Sequence, residues 1–299
     1  MFGVAGLWDM FVADLESWGF ADAALAAVSL ERILAWWSSS EAGAAAGASS
    51  GSDVETPVWF TTLRRVLREA PLKDAVLRAT EQFIRNARDD FDPFLLFSHS
   101  PRALEVLARL ACGSPFLTQT LLADPQCLMG LTLHGRAAET KDREQFVAEA
   151  MACVEAQPSR PLKLRELRRY QRRQLLRIGM CDAFGLMDLR FITLQLSLLA
   201  DAVVQTSLNI AAAECGMAAD TLTILAMGKL GGEELNYSSD IDLTLICQSD
   251  SPGVQRLARL TIDGLTDNSP PGFLYRVDLR LRPWGEAGPL VSTVTAYAA

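Results

Sequence analysis

The chain has 299 residues, with 28 Lys and Arg against 36 Asp and Glu, two histidines and a formal net charge of −8. At 49% hydrophobic and 21% charged residues the composition is that of an ordinary globular protein, which excludes wholesale disorder, collagen-like repeats and a disulfide scaffold. The acidic balance argues against nucleic acid as a partner, because each neutralised phosphate needs a base on a shared face.

Residues 1–60 carry eight acids and a single base, Arg32. The opening MFGVAGLWDMF is apolar but lacks a basic flank, and Asp9, Asp14 and Glu16 interrupt it before a secretory or membrane segment develops. A cytoplasmic protein without membrane contact is expected. EAGAAAGASSGS, residues 41–52, predicts a flexible Ala/Gly/Ser linker inside an acidic N-terminal segment, 1–55, because such residues bury too little apolar area to offset backbone entropy.

Residues 56–219 read as a helical region. Pro93, Pro101, Pro115 and Pro125 punctuate its first part into short helices. In FITLQLSLLADAVVQTSLNI, Ile192, Leu196, Leu199, Val203 and Ile210 draw one apolar stripe at helical spacing. KLRELRRYQRRQLLRIGM, residues 163–180, holds seven bases and one acid, Glu166. On a helix its Leu164, Leu167, Leu175 and Ile178 share a face, and the arginines crowd the rest. That arc reads either as a solvated surface paired with acids or as an anion-facing one. The six scattered cysteines, with His99 and His134, supply no zinc-ligand spacing and read as buried free thiols beside structural histidines.

Past Asp220 the grammar changes to an α/β unit, residues 220–299. TLTILAMG and IDLTLIC are β-branched apolar runs, FLYRVDLRLRP (273–283) alternates, and residues 254–265 carry a short helical period between them. The expected fold class is therefore α+β, mainly helical first and then a mixed sheet.

AMGKLGGEELNYSSDIDLTLIC carries the chemistry. Strand alternation projects Asp240, Asp242 and Thr244 to one side and Ile241, Leu243 and Leu245 to the apolar layer. Two carboxylates about 5 Å apart repel by roughly 3 kcal/mol at an effective dielectric near 20, so one is protonated or a metal lies between them. Hard oxygen ligands of this kind suit Mg2+ with substrate phosphates. In RVDLRLRP the same alternation puts Arg276, Asp278, Arg280 and Arg282 on one face. If this strand pairs beside the Ile241 strand, Asp278 becomes a third carboxylate, with arginines as forked phosphate donors. Gly231 and Gly232 open backbone N–H groups to phosphate, and Ser238 and Ser239 add hydroxyls. Together these describe phosphoryl or nucleotidyl transfer. Residue 230 is Leu, so Gly228-Lys229 does not begin a P-loop. A template-dependent or antibiotic-modifying nucleotidyltransferase shares this geometry, but the acidic charge disfavours the first and nothing identifies a small acceptor for the second.

GKLGGEELNYSSDIDL and LYRVDLRLRPWGEAGPL closely resemble the adenylyl-removing half of the bifunctional glutamine synthetase adenylyltransferase/adenylyl-removing enzymes, within the polymerase-beta-like nucleotidyltransferase superfamily. The basic helix and FDPFLLFSHSPRALEVLARLACGSPFLTQTLLADP are also similar, so the resemblance covers most of the chain after about Thr56. It implies removal of AMP from a tyrosine of glutamine synthetase by phosphorolysis to ADP, in nitrogen regulation under a PII-type signal protein. It further implies that Asp240, Asp242 and Asp278 hold Mg2+, that Gly231, Gly232 and Ser239 lie against phosphate, and that ATP or ADP is bound. Family members keep arginines on the basic helix, so a structural role and a phosphate- or partner-facing role both stay open for it. They also continue well past the position of Ala299, through the rest of this domain and an adenylylating half. The alternative expectation is a truncated, catalytically weak fragment that binds glutamine synthetase or the signal protein.

Overall fold

A computed structural model describes residues 4–48, 56–133, 139–270, 272–283 and 285–297. The chain divides into two compact units, Met1–Ala137 and Ala138–Ala299.

The first unit is helical: α1 (Val4–Trp18), α2 (Ala23–Ser38), α3 (Glu41–Ala48), α4 (Val58–Glu69), α5 (Lys73–Ala87), α6 (Pro93–His99), α7 (Arg102–Gly113), α8 (Pro115–Ala123) and α9 (Gln126–Leu133). Proline opens α6 and α8, where its missing N–H costs nothing, and the Asp92 and Ser114 side chains accept the next free N–H groups. The core is aromatic, with Trp59 edge-on to Phe94 at a centroid separation of 5.0 Å. His99 Nδ1 lies 2.8 Å from Leu95 O, a local backbone contact, while His134 falls outside the described residues.

The linker expected at 41–52 is corrected over its first part, since Glu41–Ala48 is helix; residues 49–52 lie outside the described residues. Alanine is the strongest helix former, and the segment has caps from outside itself. Ala42 N–H donates to Asp92 Oδ2 (3.0 Å) and Gly43 N–H to Ser40 Oγ (3.1 Å).

The second unit contains α10 (Arg143–Glu155), α11 (Arg160–Ala183), α12 (Leu189–Cys215), β1 (Thr223–Met227), α13 (Gly228–Gly231), β2 (Ile241–Cys247), α14 (Pro252–Thr266), β3 (Val277–Asp278), β4 (Val291–Thr293) and α15 (Val294–Tyr297). α12 is long and apolar enough to cross a membrane by composition, yet 72% of its most apolar window is buried inside the unit. Its stripe from Ile192 to Ile210 is the core-facing face. The division expected near residue 219 is replaced by one at Ala137/Ala138, because α10, α11 and α12 share a core with the sheet. Ser207 Oγ on α12 donates to Thr261 O of α14 (3.2 Å), and Arg160 on α11 donates to Leu260 O (2.8 Å).

β2 is the sheet's centre. β1 runs antiparallel along one edge, with Ile224 opposite Leu245 and Met227 opposite Asp242. The other edge is shared in tandem by β3, parallel at Ile241 and Asp242, and β4, parallel at Leu245 to Cys247. The third strand expected over 273–283 is corrected to two residues. Pro283 has no N–H for a ladder, and the chain leaves the edge through turns before returning as β4, which the sequence reading missed.

Candidate active site

The site is built around the β1 to β2 connection. At Gly228 the chain turns from β1 into α13 with φ +53°, in the left-handed region that favours glycine. A Cβ there would stand 3.1 Å from Asp242 Cγ and closer still to its Oδ2, so the space a side chain would fill is the space the Asp242 carboxylate occupies. At Gly231 a Cβ would stand 2.6 Å from Ala226 O. That glycine lets α13 fold back on the end of β1, and its tightest approach is to its own chain. Gly232 is exposed, and a Cβ there would meet only ordinary contacts from 3.5 Å outward.

Three bonds fix the loop that follows. Glu234 N–H donates to Lys229 O (2.9 Å), buried Leu235 donates its N–H to Ser197 Oγ on α12 (3.0 Å), and Tyr237 Oη donates to Asp182 Oδ2 at the end of α11 (3.2 Å). Burial and then the Asp182 carboxylate push the Tyr237 hydroxyl well above the ordinary phenol range, keeping it a donor. Ser239 Oγ donates to Asn236 Oδ1 (2.6 Å), so its hydroxyl braces the turn, while exposed Ser238 offers its carbonyl to Arg276 Nη2 (2.7 Å).

The register between β2 and β3 decides the carboxylates. Asp242 pairs with Asp278 and Ile241 with Val277. Residues in register on parallel neighbours project to the same side, so Asp242 and Asp278 stand side by side. Asp240, exposed and just ahead of β2, accepts from Arg276 Nε at 2.5 Å. Asp278 Oδ1 accepts from the Arg280 backbone N–H (2.8 Å), and both its oxygens are held by the Arg280 guanidinium at 2.5 to 3.1 Å. Those bonds hold the Asp278 carboxyl below the usual carboxylate range.

Two features of the geometry bear on the expected ligands. Among the described residues no group of three or more His, Cys, Asp and Glu side chains converges as metal ligands, because Asp240 is turned to Arg276 and Asp278 is wrapped by Arg280. The one-face alternation through Arg280 and Arg282 also ends with β3 at Asp278. Arg280 and Arg282 follow in turns, and Arg282 donates from its backbone N–H and from Nη1 to Leu279 O, each at 3.2 Å. The donor set still fits a hard divalent cation such as Mg2+: two carboxylates in register, one seated in a glycine cradle, match an ion that takes one or two protein carboxylates and completes its shell with water and phosphate oxygens.

The basic helix resolves as a brace. Along one side of α11, Arg168 donates to Asp267 O (3.1 Å) and Oδ2 (2.8 Å), Gln171 to Leu274 O (2.5 Å) and Arg172 to Phe273 O (3.2 Å). These side chains tie down the segment that leads into β3, and hence Asp278. Sequence reasoning missed the Gly228 cradle, the Tyr237–Asp182 bond and the Leu235 anchor. Only the first had a local signal, a glycine at the end of an apolar strand.

A family model for glutamate-ammonia ligase adenylyltransferase matches residues 104–299. The chain is 30% identical over 247 residues to a bifunctional glutamine synthetase adenylyltransferase/adenylyl-removing enzyme of Thioalkalivibrio sulfidiphilus, covering 74% of this chain and 25% of that protein. Enzymes of the same name from Idiomarina loihiensis and Shewanella woodyi are each 31% identical, over 68% and 74% of this chain and 24% and 25% of their own lengths. The chain thus spans about a quarter of the length of these relatives. With the carboxylate-bearing sheet lying inside the matched stretch, the chain belongs to the glutamate-ammonia ligase adenylyltransferase family, with its nucleotidyltransferase fold.

Proposed function

We propose that this chain carries the deadenylylating chemistry of its family: Mg2+-dependent phosphorolysis that removes AMP from a tyrosine of glutamine synthetase. An oxygen of inorganic phosphate attacks the adenylyl phosphorus, the bond to the tyrosyl oxygen breaks, that oxygen takes up a proton, and ADP is released. The observation that carries the reading is the register of β2 and β3, which sets Asp242 beside Asp278 on one face at the mouth of the Gly228 turn.

Asp242 and Asp278, with Asp240 once it leaves Arg276, are the residues that would hold Mg2+. When bound, the ion supplies charge to the phosphate oxygens and lowers the cost of the in-line displacement. Gly232 and the exposed Ser238 edge leave room for a phosphate, and Arg276, Arg280 and Arg282 supply forked donors within the same short stretch. Glutamine synthetase, a PII-type signal protein and ATP or ADP are the partners this reading implies, in the cytoplasm and away from membranes and nucleic acid.

The test is ADP release from adenylylated glutamine synthetase with phosphate and Mg2+ supplied. Asp242→Ala and Asp240→Ala should each lower the rate by about a hundredfold or more, several kcal/mol of transition-state stabilisation. Release at the parental rate by both variants would overturn the assignment, and affinity for glutamine synthetase without any turnover would favour a binding role.

A further inference from the structure

Arg276 and Arg280 stand on two of the three carboxylates that the proposed function assigns to a divalent cation. Arg276 donates from Nε to Asp240 Oδ1 (2.5 Å) and from Nη2 to Ser238 O (2.7 Å). Arg280 wraps Asp278 with Nε and Nη2 (2.5 to 3.1 Å). These pairs do for the site what a cation would do. Asp240 lies just ahead of β2, Asp242 within it and Asp278 beside it at the end of β3, and two guanidinium groups offset two of their three charges.

Both guanidinium groups lie on the surface. The Arg276 side chain is 59% exposed and that of Arg280 is 71% exposed. The Arg276–Asp240 pair is exposed on both sides and so weak and readily exchanged for water or another anion, while Arg280 reaches from the surface to an Asp278 side chain that is 15% exposed. The carboxylate of Asp278 does not depend on the guanidinium for its place, because the Arg280 backbone N–H also holds Oδ1 at 2.8 Å. Asp242 is set by the Gly228 cradle and by the β2 ladder. Asp242 and Asp278 are thus fixed by backbone, while Asp240 is held by Arg276, which also reaches the Ser238 carbonyl, at the surface. A planar fork matches a phosphate as well as it matches a carboxylate.

We propose that Arg276 and Arg280 are exchangeable counter-ions: they neutralise Asp240 and Asp278 in the ligand-free chain, and pass to the non-bridging oxygens of a phosphate when a divalent cation takes the carboxylates. The inference rests on the metal-phosphate reading of the site and adds what occupies it beforehand. It makes cation and phosphate binding mutually reinforcing, since the cation frees the donors that the phosphate needs and the phosphate keeps them from returning. Departure of Arg276 also releases Ser238 O, freeing the end of the loop that runs into Asp240.

The experiment is Mn2+ titration of the full chain, followed by the electron paramagnetic resonance signal of the free ion, for the parent, Arg276→Gln, Arg280→Gln, Arg276→Lys and Asp242→Asn. Without phosphate, each glutamine variant should bind Mn2+ roughly two- to fivefold more tightly than the parent, the scale on which an exposed ion pair competes. Arg276→Lys, which keeps the charge, should return toward the parental value. With Mn2+ saturating, inorganic phosphate should bind about tenfold more weakly to both glutamine variants, for loss of a charged fork. Unchanged or weaker Mn2+ binding in both glutamine variants, with Asp242→Asn still abolishing it, would overturn the exchange and leave the metal site standing. Mn2+ binding that Asp242→Asn does not alter, or none by any of these proteins, would overturn the site and the exchange together.

Discussion

Two groups of arginines in the second unit look alike in the sequence and differ in what surrounds them. On α11, Arg168 is 2% exposed and Arg177 is 7% exposed, and Arg168 spends its guanidinium on Asp267 while Arg177 spends its own on Gln174, Glu139 and Gln195. Around β3, Arg276 and Arg280 reach out over the surface to Asp240, just ahead of β2, and to Asp278 in β3. A buried guanidinium with fixed acceptors cannot move without leaving those acceptors unpaired, so it holds the fold. An exposed one opposite a carboxylate can move at little cost, so it is available to a ligand. Charge density along the chain does not separate these roles, whereas burial and the identity of the acceptor do.

The largest effect that would break this contrast is on stability. Arg177 donates from Nε to Gln174 Oε1 (2.9 Å), from Nη1 to Glu139 O (2.7 Å) and from Nη2 to Gln195 Oε1 (3.1 Å), and its guanidinium lies over the Phe146 ring at 5.8 Å. Arg177→Ala strips three acceptors at once and should cost about 3 kcal/mol, read as a lower urea midpoint by circular dichroism. A loss under about 1 kcal/mol would mean that a buried guanidinium on α11 does not hold the fold in this way.

Gly228→Ala comes next. The left-handed backbone should cost about 1 to 2 kcal/mol, and the new methyl group would displace the Asp242 carboxylate. Mn2+ binding should fall with it, whereas Gly232→Ala, with ordinary space around its Cβ, should leave Mn2+ binding near the parental value. Equal behaviour of the two variants would remove the cradle from the account.

The carboxylate face was legible because it depends on local periodicity. Asp242 and Asp278 each alternate with apolar neighbours on either side, and the one long-range requirement, that their strands pair, is met in register. The extent of β3 was not legible, since a strand continues only where a partner continues, and the edge of β2 is given over to β4 instead. The roles of the α11 arginines were hidden for a related reason. Arg168, Gln171 and Arg172 find acceptors about a hundred residues further on, and no window of sequence contains both ends of those bonds. At Glu41–Ala48 the composition pointed to a linker, but alanine's helical preference with caps from Ser40 and Asp92 decided the outcome.

On the surface side of the contrast the expected effects on stability are small. Arg276→Ala and Arg280→Ala should each change unfolding free energy by no more than about 1 kcal/mol, while altering Mn2+ and phosphate binding in opposite senses. A loss comparable to that of Arg177→Ala would place them with the structural arginines.

The smallest effect sharpens the brace itself. Asp267, the carboxylate beneath Arg168, accepts from Ser269 Oγ (2.9 Å) and N–H (3.2 Å), and the Ser269 hydroxyl, followed by Arg168, holds its pKa below the usual carboxylate range. A carboxyl depressed in the folded state binds its proton more readily when unfolded. Its contribution to stability is therefore complete above the ordinary carboxylate pKa of about 3.9 and is lost as pH falls through the lower folded value. Ser269→Ala should raise the Asp267 pKa toward the ordinary value, followed by carbon NMR of the carboxyl, and should leave stability at neutral pH little changed because the group is largely exposed. An unmoved pKa would shift the cause to Arg168 and the Ser269 backbone N–H, and Arg168→Met would then have to produce the larger part of the rise.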